Sequence, residues 1–427
     1  MTSLRLRQWF ENAAIPIFAV LLGLLVSSLF VLAARTDPVQ TYQKLFCEGF
    51  GPRGCQTFSD LIIFHAPAAD NPNILQTFFA PLYGAGGHPL AVVTERATIL
   101  ILTALSATVA FQAGLFSIGM DGQLILGAIT AAFFGYWLPN QIYALAGVKD
   151  IKAASESLVT VMHLIVPLLC ILAAMTVGAV YSWIAGYLKV KLNVNELIVT
   201  IILNGIAMKM VQYLVNFPLR SDMTQTARTA RIDDTAWLVP FNRGLFPDVE
   251  WFAGSRVGVG IIIALVALVG VGFYLWRTTA GYEQRMTRGS GLFARFAGVA
   301  SERAALRAML ISGALSGLAG AIQILGVERR VVDGFANAGM GFDGVLVAVL
   351  ARESIVGILI VGVFFAGLEQ GAINLQFGDI PRQLGGIIIA FMILFNSMED
   401  FFRSGLTRLR LRLRPPRTTS ASNEVTV

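Results

Sequence analysis

The sequence predicts an all-α polytopic membrane protein of about ten transmembrane helices, each needing ~20 apolar residues to span a bilayer. Three observations carry that prediction. Of 427 residues, 56% are hydrophobic and only 14% are charged, where a soluble domain carries about a quarter charged. Several apolar runs reach or approach spanning length. These runs are also too long and continuous for the ~10-residue alternating strands of a membrane β-barrel.

Taken in order, the first span covers 14–34. Its apolar run exceeds the ~7–15 residues of a signal-peptide core, so it reads as a retained helix. A polar loop follows at 35–74, then a short apolar stretch at 75–84. Further spans are expected at 92–112, 121–138, 158–187 and 197–217. After a long polar loop, 218–255, come spans at 257–276 and 304–326, separated by a basic loop at 277–303. A short span at 341–351 and spans at 355–372 and 383–399 complete the set, and an arginine-rich tail begins at 400.

The net charge of +6 does not require nucleic acid. Arg and Lys gather in cytoplasmic loops of membrane proteins, and the clusters here fit that rule. Arg5 and Arg7, Lys189 and Lys191, the six arginines of 277–307 and the six of 403–417 fall on one side of a ten-span topology. That side is read as the cytoplasm, with both termini on it. The tail "TRLRLRLRPPR" reads as an anchor against anionic headgroups.

Cys170 lies in an apolar run and reads as a packing residue. Cys47 and Cys55 share the loop "CEGFGPRGC". Their surroundings hold no zinc pattern, and an extracytoplasmic location makes a disulfide between them plausible. His65, His88 and His163 are scattered and make no metal pattern, which argues against a membrane-embedded enzyme.

An internal repeat stands out. "IGMDGQLILGA" (118–128) resembles "MGFDGVLVAVL" (340–350), and upstream "TALSATVAF" (103–111) resembles "GALSGLAGA" (313–321). The two copies cross the membrane in opposite senses by the ten-span count, which is an inverted-topology repeat with broken segments in matching places. Irregular backbone at membrane depth is tolerated only when buried in protein or lining a wet cavity. Asp121 and Asp343 then have two readings. They cap helix starts, whose amides favour a carboxylate, or they face a translocation path. Phe116, Gln123, Asn204 and Phe342 flank or oppose the breaks and join Asp121 and Asp343 as candidate path residues. Asn195 and Glu196 read as the start of a capped helix. Lys209 reads as either path-lining or a snorkelling lysine.

The sequence is similar to nucleoside and simple-sugar ABC importer permeases. "QAGLFSIGMDGQ" (112–123) resembles their "RAGLFNIGAEGQ", with Ser117 for Asn and Asp121 for Glu. "NVNELIVTIILN" (193–204), "GYEQRMTRGSGLFARFAGV" (281–299) and "GMGFDGVLVAVLAR" (339–352) resemble three further family motifs in the family's order. The resemblance covers roughly residues 90–400. It implies a permease subunit that works by alternating access and does no covalent chemistry. It also implies two ABC ATPase subunits, a second permease in a homo- or heterodimer, and an extracytoplasmic substrate-binding lipoprotein. ATP and Mg would bind the ATPase, since this chain has no G-x-x-x-x-G-K-[ST] phosphate loop, and the localisation would be the inner membrane.

The segment 281–299 is then the ATPase coupling segment, with Tyr282, Glu283, Arg285, Arg295, Phe296 and Gly298 at positions that match the family motif. Thr287 and Arg288 replace the motif's "VG", and Ser290–Gly291 replace its "NP". A nucleoside is the first expectation for substrate, a simple sugar the second and branched-chain amino acids the third. An ion-coupled secondary transporter or channel is the alternative, since two buried acids would also suit ion coupling. The expected organisation is an N-terminal helix and outer loop (1–90), a first repeat (91–217), an outer loop (218–256) and a sixth helix with the coupling segment (257–303). A second repeat (304–400) and a basic tail (401–427) complete it.

Overall fold

The computed structural model describes residues 20–51, 55, 88–145, 147, 156–221, 225–241, 256–289, 291–335, 339–375 and 381–398. Among them there is no strand, only the isolated bridges Arg220–Thr229, Arg228–Val332 and Pro240–Gly258. The basic tail and the 75–84 stretch lie outside the described residues.

The helices are α1 (Val20–Ala33), α2 (Pro38–Phe50), α3 (His88–Gln112), α4 (Met120–Leu145), α5 (Glu156–Leu192) and α6 (Glu196–Asn216). They continue as α7 (Val259–Arg277), α8 (Thr279–Gly289), α9 (Gly291–Phe296), α10 (Ser301–Ile322), α11 (Met340–Leu350), α12 (Ile355–Asn374) and α13 (Arg382–Ser397). Among the described residues, seven are long and apolar enough to cross a membrane: α3, α4, α5, α6, α7, α12 and α10 with its π-helical extension to Glu328. The expected span at 341–351 is α11, which has 11 residues. At ~1.5 Å per residue it reaches about half of a ~30 Å hydrocarbon core.

Four boundaries differ from the sequence reading. The expected loop at 35–74 begins with a helix, α2, because Pro38 suits a first helical position, where its missing N–H costs nothing. The expected loop at 277–303 is largely helical, forming α8 and α9. Helix α5 runs on through Lys189 and Lys191 to Leu192. Helix α4 continues past Pro139 to Leu145. A proline inside a helix deprives the carbonyl four residues earlier of its donor. Here that carbonyl belongs to Gly135, and it accepts instead from the Asp233 amide at 3.1 Å.

The chain forms two compact units, residues 1–38 with 386–427, and residues 39–385. In the first, α1 lies on the last helix: Phe30 and Phe391 have ring centroids 5.1 Å apart. In the second, α3 and α10 are central, with 78% of their most apolar stretch enclosed, against 22% for α7 and 28% for α6. The outward faces of α6 and α7, with Ile198, Ile202, Ile206, Val266, Val269 and Phe273 exposed, suit lipid or another subunit. The centre is close-packed through small residues. A Cβ on Gly127 would lie 2.6 Å from the Gly317 carbonyl oxygen, so α4 and α10 approach backbone to backbone. Ser316 Oγ donates to the Met120 carbonyl at 2.6 Å, and Ser106 Oγ donates to the Ser312 carbonyl at 2.7 Å.

The loop after α6 is pinned to the segment after α10. Thr229, Ile232 and Leu238 donate backbone bonds to Val331, Arg329 and Leu325. Arg329, in the left-handed region at φ 60°, lays its guanidinium 3.2 Å from the Trp237 ring centre, a cation–π contact. Burial, together with Arg228 and Arg231 nearby, holds the Arg330 guanidinium below its ordinary range. Cys47 and Cys55 are joined by a disulfide, with Cα atoms 5.4 Å apart.

Candidate functional site

The first break follows α3. Gly114 takes φ +75°, a conformation that glycine adopts at no steric cost. The Gly114 and Leu115 amides fold back to the Phe111 and Ala110 carbonyls at 2.9 and 3.2 Å, which ends the helix as a glycine C-cap does. Phe116 projects outward, 50% exposed, and stacks on Phe111 with ring centroids 4.8 Å apart. The chain restarts as α4 at Met120. Its early amide at Gly122 donates to Asn204 Oδ1 at 2.9 Å, and Asn204 Nδ2 donates to the Ile118 carbonyl at 2.8 Å. Thr200 Oγ1, one turn earlier on α6, accepts from the Ile118 amide at 3.4 Å. One face of α6 therefore holds the first break. Gln123 is 2% exposed, and its Oε1 is enclosed with no hydrogen-bond partner among the described residues.

The second break is held differently. Gly339, at φ +71°, precedes α11 and has no side chain to cap it. Asp121 does so from α4. Its Oδ1 accepts from the Gly341 amide at 2.8 Å, and the carboxylate also accepts from the Phe342 amide. These are the second and third positions of α11, the donors an N-cap side chain normally satisfies. Asp121 is thus a cap, as one of its two readings holds, but the helix it caps is the other repeat's. Asp343 lies beside Glu369 of α12. Glu369 lies 3.7 Å from Arg96 Nη1, and Arg96 Nε donates to Gln370 Oε1 at 3.1 Å. Phe342 projects outward, 47% exposed. Gly341 lies against the Asp121 backbone and Gly344 against Thr103, and neither position has room for a Cβ. The two breaks therefore touch, with Phe116 and Phe342 unburied beside them.

Lys209 is exposed and donates to Gln212 Oε1 at 3.3 Å. Asn195 caps α6, accepting from the Leu197 amide at 3.0 Å. Glu196 pairs with Lys189 at 2.8 Å.

The basic segment folds as α8 and α9. Gln284 is fully buried: its Nε2 donates to the Val109 carbonyl at 2.6 Å, and its Oε1 accepts from the Tyr274 hydroxyl at 2.9 Å. Glu283 pairs with Arg307 at 3.1 Å. The Arg285 guanidinium lies 4.3 Å from the Trp276 ring centre. Arg295 pairs with Glu302 at 2.6 Å, and Gly298 closes α9 at φ +83°. Tyr282 is 55% exposed and Phe296 is 91% exposed, so an aromatic tip stands clear of the bundle at its basic end. Sequence reasoning missed Arg96, Thr103, Gln284, Glu353 and Glu369. Glu369 did carry a signal, since an acid inside an apolar run is a functional candidate by default.

The branched-chain amino acid transport system / permease component family matches residues 90–396. The guanosine ABC transporter permease protein NupP of Bacillus subtilis is 30% identical over 403 residues, covering 94% of this chain and 97% of the relative. The glucose ABC transporter permease protein TsgB13 of Haloferax volcanii is 30% identical over 391 residues, covering 91% and 88%. The nucleoside ABC transporter permease protein NupB of Lactococcus lactis is 28% identical over 393 residues, covering 91% and 92%. No solved structure matches. With a family match over most of its length and relatives aligned nearly end to end, this chain belongs to the branched-chain amino acid transport system permease-component family, and it is a membrane permease subunit of an ABC importer.

Proposed function

We propose that this subunit passes a nucleoside inward, with a simple sugar as the second candidate, along a path beside the two touching breaks. The observation that carries the reading is the Asp121 cap on α11, which fixes two half-buried irregular segments against each other. Irregular backbone at membrane depth belongs where it lines a wet cavity. Phe116 and Phe342 offer aromatic faces for a base or sugar ring, and Asp343 offers a carboxylate for hydroxyl or amino groups. Asp121 and Asn204 serve the path indirectly, since their polar atoms hold backbone. Relatives named for guanosine and nucleoside transport support the first choice of substrate, and the relative named for glucose supports the second.

The partners on this reading are two ABC ATPase subunits that bind ATP and Mg, a second permease and a lipid-anchored extracytoplasmic binding protein. Both termini and the basic segment 281–299 face the cytoplasm, and the disulfide-bearing segment faces outward. The exposed Phe296 and Tyr282 meet the ATPase.

The test is uptake in proteoliposomes holding all four components. Labelled guanosine, adenosine and glucose would be offered with and without ATP. ATP-dependent nucleoside uptake that is lost in Phe296→Ala supports the reading. Uptake that needs no ATP and follows an ion gradient contradicts it.

A further inference from the structure

Arg288 replaces a glycine of the family motif, and the structure shows where its charge goes. Helix α8 ends beside the point where α3 stops: a Cβ on Gly114 would lie 3.1 Å from the Arg288 Cα. From there the Arg288 guanidinium reaches Glu353, in the turn between α11 and α12. Both of its terminal nitrogens bond that carboxylate, Nη2 to Oε1 at 3.0 Å and Nη1 to Oε2. Such a two-bond fork fixes direction as well as distance. Gln112, the last residue of α3, donates to Glu353 Oε2 at 2.8 Å. Three segments thus meet at one carboxylate: the end of α3 before the first break, the end of α8, and the exit of the half-length α11.

The turn that presents Glu353 is costly. Arg352 and Glu353 take φ 53° and 57°, a region that suits glycine and strains other residues. The placement is also electrostatically poor, because a helix C-terminus carries partial negative charge and repels a carboxylate. Glu353 lies just beyond the end of α11, with its side chain 15% exposed. A turn with two strained residues and an acid in an unfavourable field persists when surrounding contacts over-determine it. The fork from Arg288 and the amide of Gln112 are those contacts. Position 353 also follows the C-terminal end of α11, whose N-terminal end Asp121 caps, so the half-helix is gripped at both ends.

We infer that Arg288 and Glu353 form a strut that carries movement of the basic segment α8 to the half-helix α11. The inference rests on the proposed reading that an ATPase acts on the basic segment. Arg288 is a positioning residue that acts through Glu353, with no contact to the solute. Buried Gln284 anchors α8 to α3 at Val109, and Glu283 anchors it to α10 through Arg307. Among these ties, the fork alone reaches the turn that follows α11.

The test uses the full chain, assembled in nanodiscs with its ATPase and partner permease. An environment-sensitive fluorophore on Val349→Cys, which is 40% exposed on α11, reports the half-helix without any solute. ATP-Mg with vanadate is added. The expected result is an emission shift in the otherwise wild-type assembly. In Arg288→Glu and in Glu353→Gln, which break the fork, most of the shift is lost. ATP hydrolysis in Glu353→Gln, which lies outside the basic segment, stays within about two-fold, and the swap Arg288→Glu with Glu353→Arg restores the shift. An undiminished shift in both single variants overturns the strut, and so does a swap as silent as the singles. Silence in the wild-type assembly overturns the ATP-driven reading itself and the strut with it.

Discussion

The two breaks carry the same Gly–large–Asp–Gly motif and use it in opposite ways. At the first, Asp121 turns away from its own helix and caps α11 through the Gly341 and Phe342 amides, while Asn204 serves α4 in its place. At the second, Asp343 turns to Glu369 and the Arg96 neighbourhood. The glycines differ as well. Gly122 faces the side chain of Asn204, and Gly344 faces Thr103 with no clearance. The shared motif therefore opens a helix in both copies, while the polar contacts depend on the neighbour each copy meets. One aspartate holds the two halves together, and its counterpart is left beside the unburied Phe342, where the proposed path runs.

Substitutions at four positions sharpen or break this contrast. The largest effect is expected at Gly344. Gly344→Val forces a branched side chain into Thr103 and costs about 3 kcal/mol or more through overpacking, read as loss of the monodisperse protein in detergent. Next comes Asp121→Ala, which leaves two helix-start amides without an acceptor and lowers stability by about 2 kcal/mol. Its Tm drops, while Asp121→Asn, which keeps one acceptor oxygen, retains most of the stability. Asn204→Ala removes one neutral acceptor and one donor and costs about 1–2 kcal/mol, so its Tm falls between wild type and Asp121→Ala. The smallest stability effect is expected for Asp343→Asn, within about 0.5 kcal/mol, with uptake reduced several-fold. If Asp343→Asn destabilised as much as Asp121→Ala, the two breaks would be doing the same work and the contrast would fail.

The spans were legible because their signal is local. Runs such as 257–276 and 355–372 announce themselves by hydropathy, and α7 and α12 follow them closely. The breaks were legible too, since glycines and a polar residue in an oily chain are rare without cause. Helix boundaries failed where a distant group intervened. Pro139 marks a stop by local rules, yet α4 runs through it because Asp233, 94 positions later in numbering (233 − 139), supplies the Gly135 carbonyl with a donor. The use made of Asp121 was legible only as chemistry. A carboxylate near a helix start suggests a cap, but nothing local says which helix. Arg288 was visible as a departure from a family motif, and its partner at 353 was not, because the two meet only after α3, α8 and α11 have packed.

The claim at the centre of this account is that the first repeat caps the half-helix of the second. Hydrogen–deuterium exchange on peptides covering 339–350, in nanodiscs, tests it most directly. Comparing wild type with Asp121→Ala, the account predicts faster exchange confined to the first turn of α11, with peptides from α4 and α10 unchanged. Equal protection of the Gly341 and Phe342 amides in both proteins would contradict it, because those amides would then have an acceptor other than Asp121.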